Sequence, residues 1–277
     1  MSGTHTHTGY LSPAVAGSGA VALGLSASAA ALGEVRVLAR SEGSAWRAEE
    51  EIEKLCRKVE GAEASRVRVT TSAADLAGCD LVVEAIVEDH DVKSALIAEL
   101  GEACPDADLA TTTSSLSVTE LGAAACVAER FYGLHVFNPV ERMELVELCL
   151  PEAVGPGVGE RARAFCAALG KYVVDVPDHT GFVVNRLLFP YLFDAVRLLD
   201  ELDLEPAEVD ACMSMGAGQP MGPLKLLDFV GIDVAVAIGD SLHDASESEY
   251  HSPPQRLVEM TKAGKLGRKS GAGFYEY

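Results

Sequence analysis

His135 closes an apolar, β-rich run, Arg130-Phe131-Tyr132-Gly133-Leu134, and Glu147 sits in a second strand-like run, Met143 to Leu150, beyond a polar turn around Pro139 and Glu141. Imidazole titrates near neutrality, and a carboxylate held against one ring nitrogen orients it and stabilises its protonated form. Two strands joined by such a turn bring the pair within hydrogen-bond reach. That is equipment for proton transfer at neutral pH. A buried histidine satisfied by a backbone carbonyl, with the glutamate on a solvated face, would use the same two residues. The surrounding elements must decide between these.

Strand-like and helix-like runs alternate from the front of the chain: Ala14-Val15-Ala16, a small-residue helix from Ala20 to Leu32, then Val35 to Ala39. This is a βαβ unit. A charged helix (Ala45 to Val59) leads to Val67-Arg68-Val69, a short helix (Ala73 to Leu76), the strand Leu81 to Val87 and a helix from Val92 to Leu100. Leu109-Ala110-Thr111, a helix from Val118 to Val127 and the strands around His135 and Glu147 follow. The pattern predicts a parallel sheet covered by helices. Beyond Val173-Val174-Asp175-Val176 the alternation stops, and helices are expected over Gly181 to Leu202, Glu208 to Met215, Pro223 to Phe229, Val234 to Ala245 and Gln255 to Ala263, with Gly264 as a C-cap. The expected fold class is therefore α/β: a Rossmann-type dinucleotide-binding domain over residues 10–179, followed by an all-α domain over 180–277.

Between the first strand and first helix lies Gly17-Ser18-Gly19-Ala20-Val21-Ala22. In a dinucleotide fold Gly17 permits the tight turn, Gly19 lets backbone approach a pyrophosphate, and Ala22 takes the third small position. Such a loop alone is a weak signal; inside a βαβ unit it is a good one. The second strand should end in an acid for the ribose 2′-hydroxyl, yet Leu38-Ala39 is followed by Arg40 and Ser41. A guanidinium and a hydroxyl suit a 2′-phosphate, so NADP(H) is expected over NAD(H). A surface arginine at a strand end is the plainer alternative.

The 277 residues are 48% hydrophobic, enough to bury a sizeable core. Forty-two acidic against 22 basic residues give a formal charge of -20, which works against nonspecific affinity for nucleic acid or an anionic membrane. Seven cysteines, odd in number and widely spaced, match neither a metal site nor a disulfide framework, and read as buried thiols of a reducing cytoplasm. No metal is expected. His5 and His7, in a Ser/Thr-rich start, read as a mobile tail. That start resembles no secretory signal, and no apolar run reaches the roughly 18 to 20 residues of a membrane span, so a soluble, unexported protein is expected.

Several separated stretches carry a further signal: Val83-Glu84-Ala85-Ile86-Val87-Glu88, Thr113-Ser114-Ser115-Leu116, Gly133-Leu134-His135-Val136-Phe137-Asn138-Pro139-Val140, Gly181-Phe182-Val183-Val184-Asn185-Arg186, Gly216-Ala217-Gly218-Gln219-Pro220-Met221-Gly222-Pro223 and Lys269-Ser270-Gly271-Ala272-Gly273-Phe274-Tyr275. With these runs in this order, the chain resembles the 3-hydroxyacyl-CoA dehydrogenase family, which includes the 3-hydroxybutyryl-CoA dehydrogenases. The resemblance implies a dinucleotide-binding domain and a helical domain through which subunits dimerise. It implies that His135 is the general acid/base and Glu147 its orienting partner, that Ser114 and Asn185 hydrogen-bond substrate oxygens, and that Glu88, Lys93, Asn138 and Lys269 help hold the cofactor. The implied substrate is a short-chain acyl-CoA.

Two departures stand out. Arg40 replaces the expected acid, and the helical region after the second strand, longer in the family and offering serine and lysine to coenzyme A, is shortened here. Glu42, Glu49, Glu50, Glu51, Glu53, Glu60 and Glu63 there outnumber Arg47, Lys54, Arg57 and Lys58. The same chemistry on an acyl-carrier-protein-bound or free hydroxy acid is an alternative, although a carrier protein is itself acidic. A non-catalytic nucleotide-binding protein is another, against which the joint presence of His135, Glu147, Ser114 and Asn185 weighs. A Ser-His-Glu hydrolase built from Ser114, His135 and Glu147 lacks the G-x-S-x-G elbow.

Overall fold

The computed structural model describes residues 9–277; His5 and His7 lie outside the described residues. The chain divides into two compact units, Met1–His179 and Thr180–Tyr277. The first holds an eight-stranded sheet: β1 (Pro13–Ala16), β2 (Val35–Leu38), β3 (Val67–Thr70), β4 (Leu81–Glu84), β5 (Asp108–Thr111), β6 (Phe131–Val136), β7 (Leu145–Cys149) and β8 (Tyr172–Val176). They lie in the order β3-β2-β1-β4-β5-β6-β7-β8. All neighbours are parallel except β6 and β7, which pair antiparallel. Every residue of β1, β4, β5 and β6 is buried, as expected of strands covered on both faces. The strand order reverses between β1 and β4, and ligands of such sheets bind beyond the strand ends at that switch point.

The covering helices are α1 (Ala20–Ala29), α2 (Glu42–Cys56), α3 (His90–Ala103), α4 (Val118–Ala124) and α5 (Val158–Ala168). α1 is small on all sides because it is buried on all sides, from Ala22 to Ala29. Its two serine hydroxyls donate back to Ala22 and Gly24 carbonyls, and a Cβ at Gly24 would sit 3.0 Å from that of Val140. Asp178, just after β8, accepts from Ser117 Oγ, from the Val118 and Thr119 amides and from Thr119 Oγ1, which ties that strand's exit to the start of α4. Burial opposes ionisation of Asp178, but these donors outweigh it and hold the carboxyl below its usual range.

Tyr10 precedes the first expected strand and is nonetheless buried. Its hydroxyl donates to Asp108 at 2.7 Å, Arg161 forks onto the same carboxylate at 2.7 and 2.9 Å, and Asp80 accepts from the amides of Leu11 and Ser12. These bonds pin the entry of β1.

The second unit is helical: α6 (Val184–Leu202), α7 (Pro206–Ala211), α8 (Pro223–Val230), α9 (Ile232–Ser246) and α10 (Gln255–Lys262). The helix expected from Gly181 begins at Val184, because Gly181 and Phe182 take positive φ. The one expected to run to Met215 is α7 followed by a wide π turn, Cys212–Gly216. Gly264 has φ +73 just past α10, as a C-terminal stop requires. Two buried carboxylates close this unit. Asp210 accepts from the Leu224 and Lys225 amides and from Tyr275 Oη, and Asp228 accepts from the Phe274 and Tyr275 amides at 2.9 Å. Burial raises the Asp228 carboxyl above its usual range. A side chain at Gly273 would overlap that carboxylate, so the glycine in the C-terminal Gly-Phe-Tyr run is a packing requirement.

All seven cysteines are unpaired; five are buried as expected, whereas Cys126 and Cys212 are exposed. Among the described residues no helix is long and apolar enough to cross a membrane.

Candidate active site

In the antiparallel pairing of β6 with β7, His135 stands opposite Glu147 in register. Directly opposed side chains on one face approach closely, and here His135 Nδ1 lies 2.7 Å from Glu147 Oε2. Both side chains are almost completely buried. A carboxylate only accepts, so Nδ1 carries the proton and Nε2 is the basic atom of the ring. The Phe137 ring leans on the imidazole, centroids 4.6 Å apart. The contact fixes the tautomer of a buried imidazole.

Ser114 lies three residues past Thr111 of β5, whose partner on β6 is Gly133, two residues before His135. It leaves the same edge of the sheet on the neighbouring strand. Its loop is fastened by Glu88: Oε1 accepts from Thr113 Oγ1 at 2.6 Å, from the Ser114 and Ser115 amides at 2.8 and 2.9 Å, and from Ser115 Oγ at 2.9 Å. Behind Glu88 lies Lys93, fully buried, with Nζ 3.3 Å from Glu88 Oε2 and 2.8 and 3.0 Å from the two oxygens of Glu84. Glu84 in turn accepts from Thr111 Oγ1 at 2.7 Å and from the Ile86 amide at 2.7 Å. The strand expected to reach Val87 ends at Glu84, where its own carboxylate takes the Ile86 amide.

The loop after β1 fits a dinucleotide. Gly17 has φ +145 and a side chain there would overlap the Ala85 carbonyl, so only glycine makes the turn. The same missing Cβ makes room for Ala22, whose methyl would lie 3.2 Å from it. Gly19 is exposed, with nothing within 4 Å of where a Cβ would project. It precedes α1 without a side-chain cap, leaving the first-turn amides for an anion. A cleft of about 430 Å³ opens beside this loop, lined by Ser18, Arg47, Glu51, Leu55 and Asn138 among others. Asn138, followed by a cis bond to Pro139, is exposed.

Both halves match models of one family: residues 12–179 the 3-hydroxyacyl-CoA dehydrogenase NAD binding domain, and residues 181–277 the 3-hydroxyacyl-CoA dehydrogenase C-terminal domain. The chain belongs to the 3-hydroxyacyl-CoA dehydrogenase family. A 3-hydroxybutyryl-CoA dehydrogenase of Mycobacterium tuberculosis is 42% identical over 211 residues, which are 75% of this chain and 74% of that one. The human mitochondrial hydroxyacyl-coenzyme A dehydrogenase is 38% identical over 282 residues, 95% of this chain and 90% of its own. The crystal structure of (S)-3-hydroxybutyryl-CoA dehydrogenase from Ralstonia eutropha superposes with a TM-score of 0.89 at 32% identity, over 96% of this chain and 98% of that one. As a dehydrogenase of this family the protein is an oxidoreductase using a nicotinamide cofactor.

The dehydrogenase's expected site residues divide between its two units. His135 and Glu147 are bonded to each other, and Ser114, Glu88 and Lys93 form one network in the same unit. Asn185, buried in the first turn of α6, and Lys269, whose Nζ donates to Asp233 at 2.7 Å, belong to the helical unit. Arg40 is exposed at the end of β2 with no partner among the described residues. Ser41 is engaged as the N-cap of α2, its hydroxyl accepting from the Ser44 amide at 3.3 Å. Glu84, Thr111 and Thr113 went unnoticed as site residues because their signal is strand adjacency, β4 beside β5, and no spacing along the chain displays it.

The two loop glycines should separate experimentally. Gly17→Ala forces a clash and should lower the melting temperature along with cofactor affinity. Gly19→Ala meets no atom of the protein, so it should leave the melting temperature unchanged while weakening cofactor binding by about tenfold or more, since in a dinucleotide fold a methyl there would take space that a pyrophosphate needs. Thermal melts with fluorescence titration of the cofactor read both.

Proposed function

We propose that this dehydrogenase interconverts a short-chain (S)-3-hydroxyacyl-CoA and its 3-oxoacyl-CoA, prefers NADP(H), and works as a homodimer in the cytoplasm. The observation that carries the chemistry is the buried 2.7 Å contact between His135 Nδ1 and Glu147 Oε2. When bound, the cofactor supplies or takes up the hydride exchanged with C3. His135 Nε2 removes the C3 hydroxyl proton in the oxidising direction and returns it in the reducing one, while Glu147 stabilises the imidazolium and keeps the ring from turning. The Ser114 hydroxyl hydrogen-bonds the substrate oxygen; Asn185, in the helical unit, is assigned to the substrate by the family resemblance alone. The amides that follow Gly19 meet the pyrophosphate, Asn138, Glu88 and Lys93 belong to the cofactor's surroundings, and Lys269, in the helical unit, is assigned to the cofactor by the family resemblance alone. The cleft lined by Arg47, Ser18 and Asn138 has room for an acyl carrier arm.

The NADP(H) preference is supported by the unpartnered, exposed Arg40 where an acid would otherwise meet a 2′-hydroxyl. Dimerisation is supported by α6, on which Leu187, Leu198 and Leu202 are 70, 44 and 53% exposed along a single helical stripe that also carries Tyr191. Seven unpaired cysteines are in keeping with a reducing compartment.

His135→Gln should fold and bind cofactor normally yet turn over acetoacetyl-CoA about 100- to 10,000-fold more slowly, because an amide accepts a hydrogen bond but does not exchange a proton. Glu147→Gln should be impaired in the same direction. Near-normal rates in a folded His135→Gln protein would sink the reading.

Arg40→Asp should remove a charge-assisted contact of roughly 1.5 to 3 kcal/mol and add repulsion, so that the ratio of kcat/KM for NADPH over NADH falls about tenfold or more. A wild type that already prefers NADH would reduce Arg40 to a surface residue. Light scattering should return twice the 29.1 kDa chain mass, and a monomer at micromolar concentration would refute the dimer.

A further inference from the structure

We propose that Lys171 is a positioning residue: its amine holds the turn between β6 and β7 in the shape that presents Asn138 and forms one side of the cleft beside the loop after β1. The inference rests on the reading of Asn138 as a cofactor contact and of that cleft as the seat of the acyl carrier arm. Residues 137–144 join the two strands that carry His135 and Glu147, and Asn138, Pro139 and Glu141 among them line the cleft. The ladder between the strands runs out at the pair Val136 and Val146. It fixes the imidazole and its carboxylate, but not the turn beyond them.

Within the turn the Pro139 carbonyl accepts from the amides of Arg142 and Met143 at 2.9 and 3.0 Å, and Val140 is buried against Gly24 of α1. Proline brings no amide of its own. The carbonyls of Val140 and Met143 take their donor from outside the turn: Lys171 Nζ donates to both, to Met143 at 2.8 Å. One nitrogen thus ties two points of the turn together. Desolvation lowers the Lys171 ammonium from the usual lysine range although Glu141 and Glu144 stand near and pull the other way. The clasp survives either charge state, since an ammonium has three protons to give and a neutral amine two.

Lys171 is delivered to this place by backbone. Gly170 takes φ +71 just past α5, and the Lys171 amide donates to the Cys166 carbonyl at 2.9 Å. The Tyr172 amide then donates to the Glu144 carbonyl at 2.7 Å as β8 begins beside β7. That register sets Tyr172 opposite Leu145, so the residue before it arrives beside the end of the turn. The geometry of the turn is therefore set by α1, by α5 and by the start of β8, through contacts that involve neither His135 nor Glu147.

The test is Lys171→Met, which keeps the stem and removes every donor, alone and with Asn138→Ala. Fluorescence titration with NADPH and NADH gives Kd, and rates with acetoacetyl-CoA and the tighter-binding cofactor give KM and kcat. We expect the cofactor Kd and the acetoacetyl-CoA KM each to rise about fivefold or more, and kcat to fall by less than about threefold because the contact of His135 with Glu147 rests on strand register. Added to Asn138→Ala, Lys171→Met should raise Kd by no more than about twofold further. A lowered melt with Kd and KM unmoved would overturn the proposal by reducing Lys171 to a stabilising contact. A kcat that falls further than Kd and KM rise would overturn it by placing the effect at the proton-transfer pair, and effects on Kd that multiply in full would overturn it by placing them away from Asn138. Asn138→Ala with wild-type Kd would show instead that the reading of Asn138 is wrong, and the proposal would fall with it. Should Lys171→Met not fold, Lys171→Gln, whose amide nitrogen stands one atom nearer the backbone, must raise Kd and KM in the same direction. Wild-type values there overturn the proposal.

Discussion

The site hangs on the antiparallel pairing of β7 with β6. In a parallel neighbour the residues beside His135 would come from a strand that ends at the same edge of the sheet, and the supply of partners would be set by a crossover helix. Reversing one strand lets a short turn bring Glu147 back directly opposite His135, so the contact is fixed by backbone register before any side chain chooses a rotamer. Because the period along a strand is two, a slip of one residue would turn Glu147 to the opposite face and separate the pair. Burial of Val146 and Leu148 on either side makes such a slip costly. The contact is therefore protected by the hydrophobic core and needs no dedicated loop to hold it.

Buried charge is handled by the same economy of strand ends. Glu84, Glu88 and Lys93 would each be expensive to bury alone, and their mutual contacts together with threonine and serine donors satisfy them. The network occupies the carboxyl edge of β4 and β5, beside the strand bearing His135. Rigidity in that place is useful, since positioning of a donor to within a fraction of an ångström governs how much of a barrier it removes. Asp178, Asp210 and Asp228 apply the same device elsewhere, each carboxylate gathering amides from the start of a helix or from the chain terminus.

How much of this could be read from the sequence depends on where each signal resides. The alternation of strands and helices was legible because apolar periodicity is local, and the Gly17 to Ala22 loop because a turn needing positive φ admits few residues. His135 and Glu147 were legible as a pair because a short turn separates them. Glu88 and Lys93 were found by resemblance, but their protein partners were not: the two meet each other, and Glu88 also takes the loop that follows β5. Tyr10, Asp108 and Arg161 were missed because their bonds span distant parts of the chain that only the strand order unites. Element ends failed where side chains compete for backbone groups, as Glu84 does for the Ile86 amide, or where a glycine turns the chain, as Gly181 does before α6.

A chain of formal charge -20 that handles anionic ligands poses an electrostatic question, and the answer lies in distance. Beyond about 8 Å at physiological ionic strength the field of scattered surface acids is screened, so it slows encounter more than it weakens contact. At contact what counts is which cations are unclaimed. On and beside α2, Lys54 is paired with Glu51 and Arg57 with Glu53, contacts between exposed groups that leave little positive field to spare. Arg40 and Arg47 have no such partners among the described residues, and they stand at two different places around the loop after β1: one at the end of β2, the other in the cleft beside Asn138. One unclaimed guanidinium stands at each place, so a phosphate arriving there would have to fit that residue within a surface rich in acids. An acidic surface thereby sharpens selection among anions, because an ill-placed charge meets only repulsion.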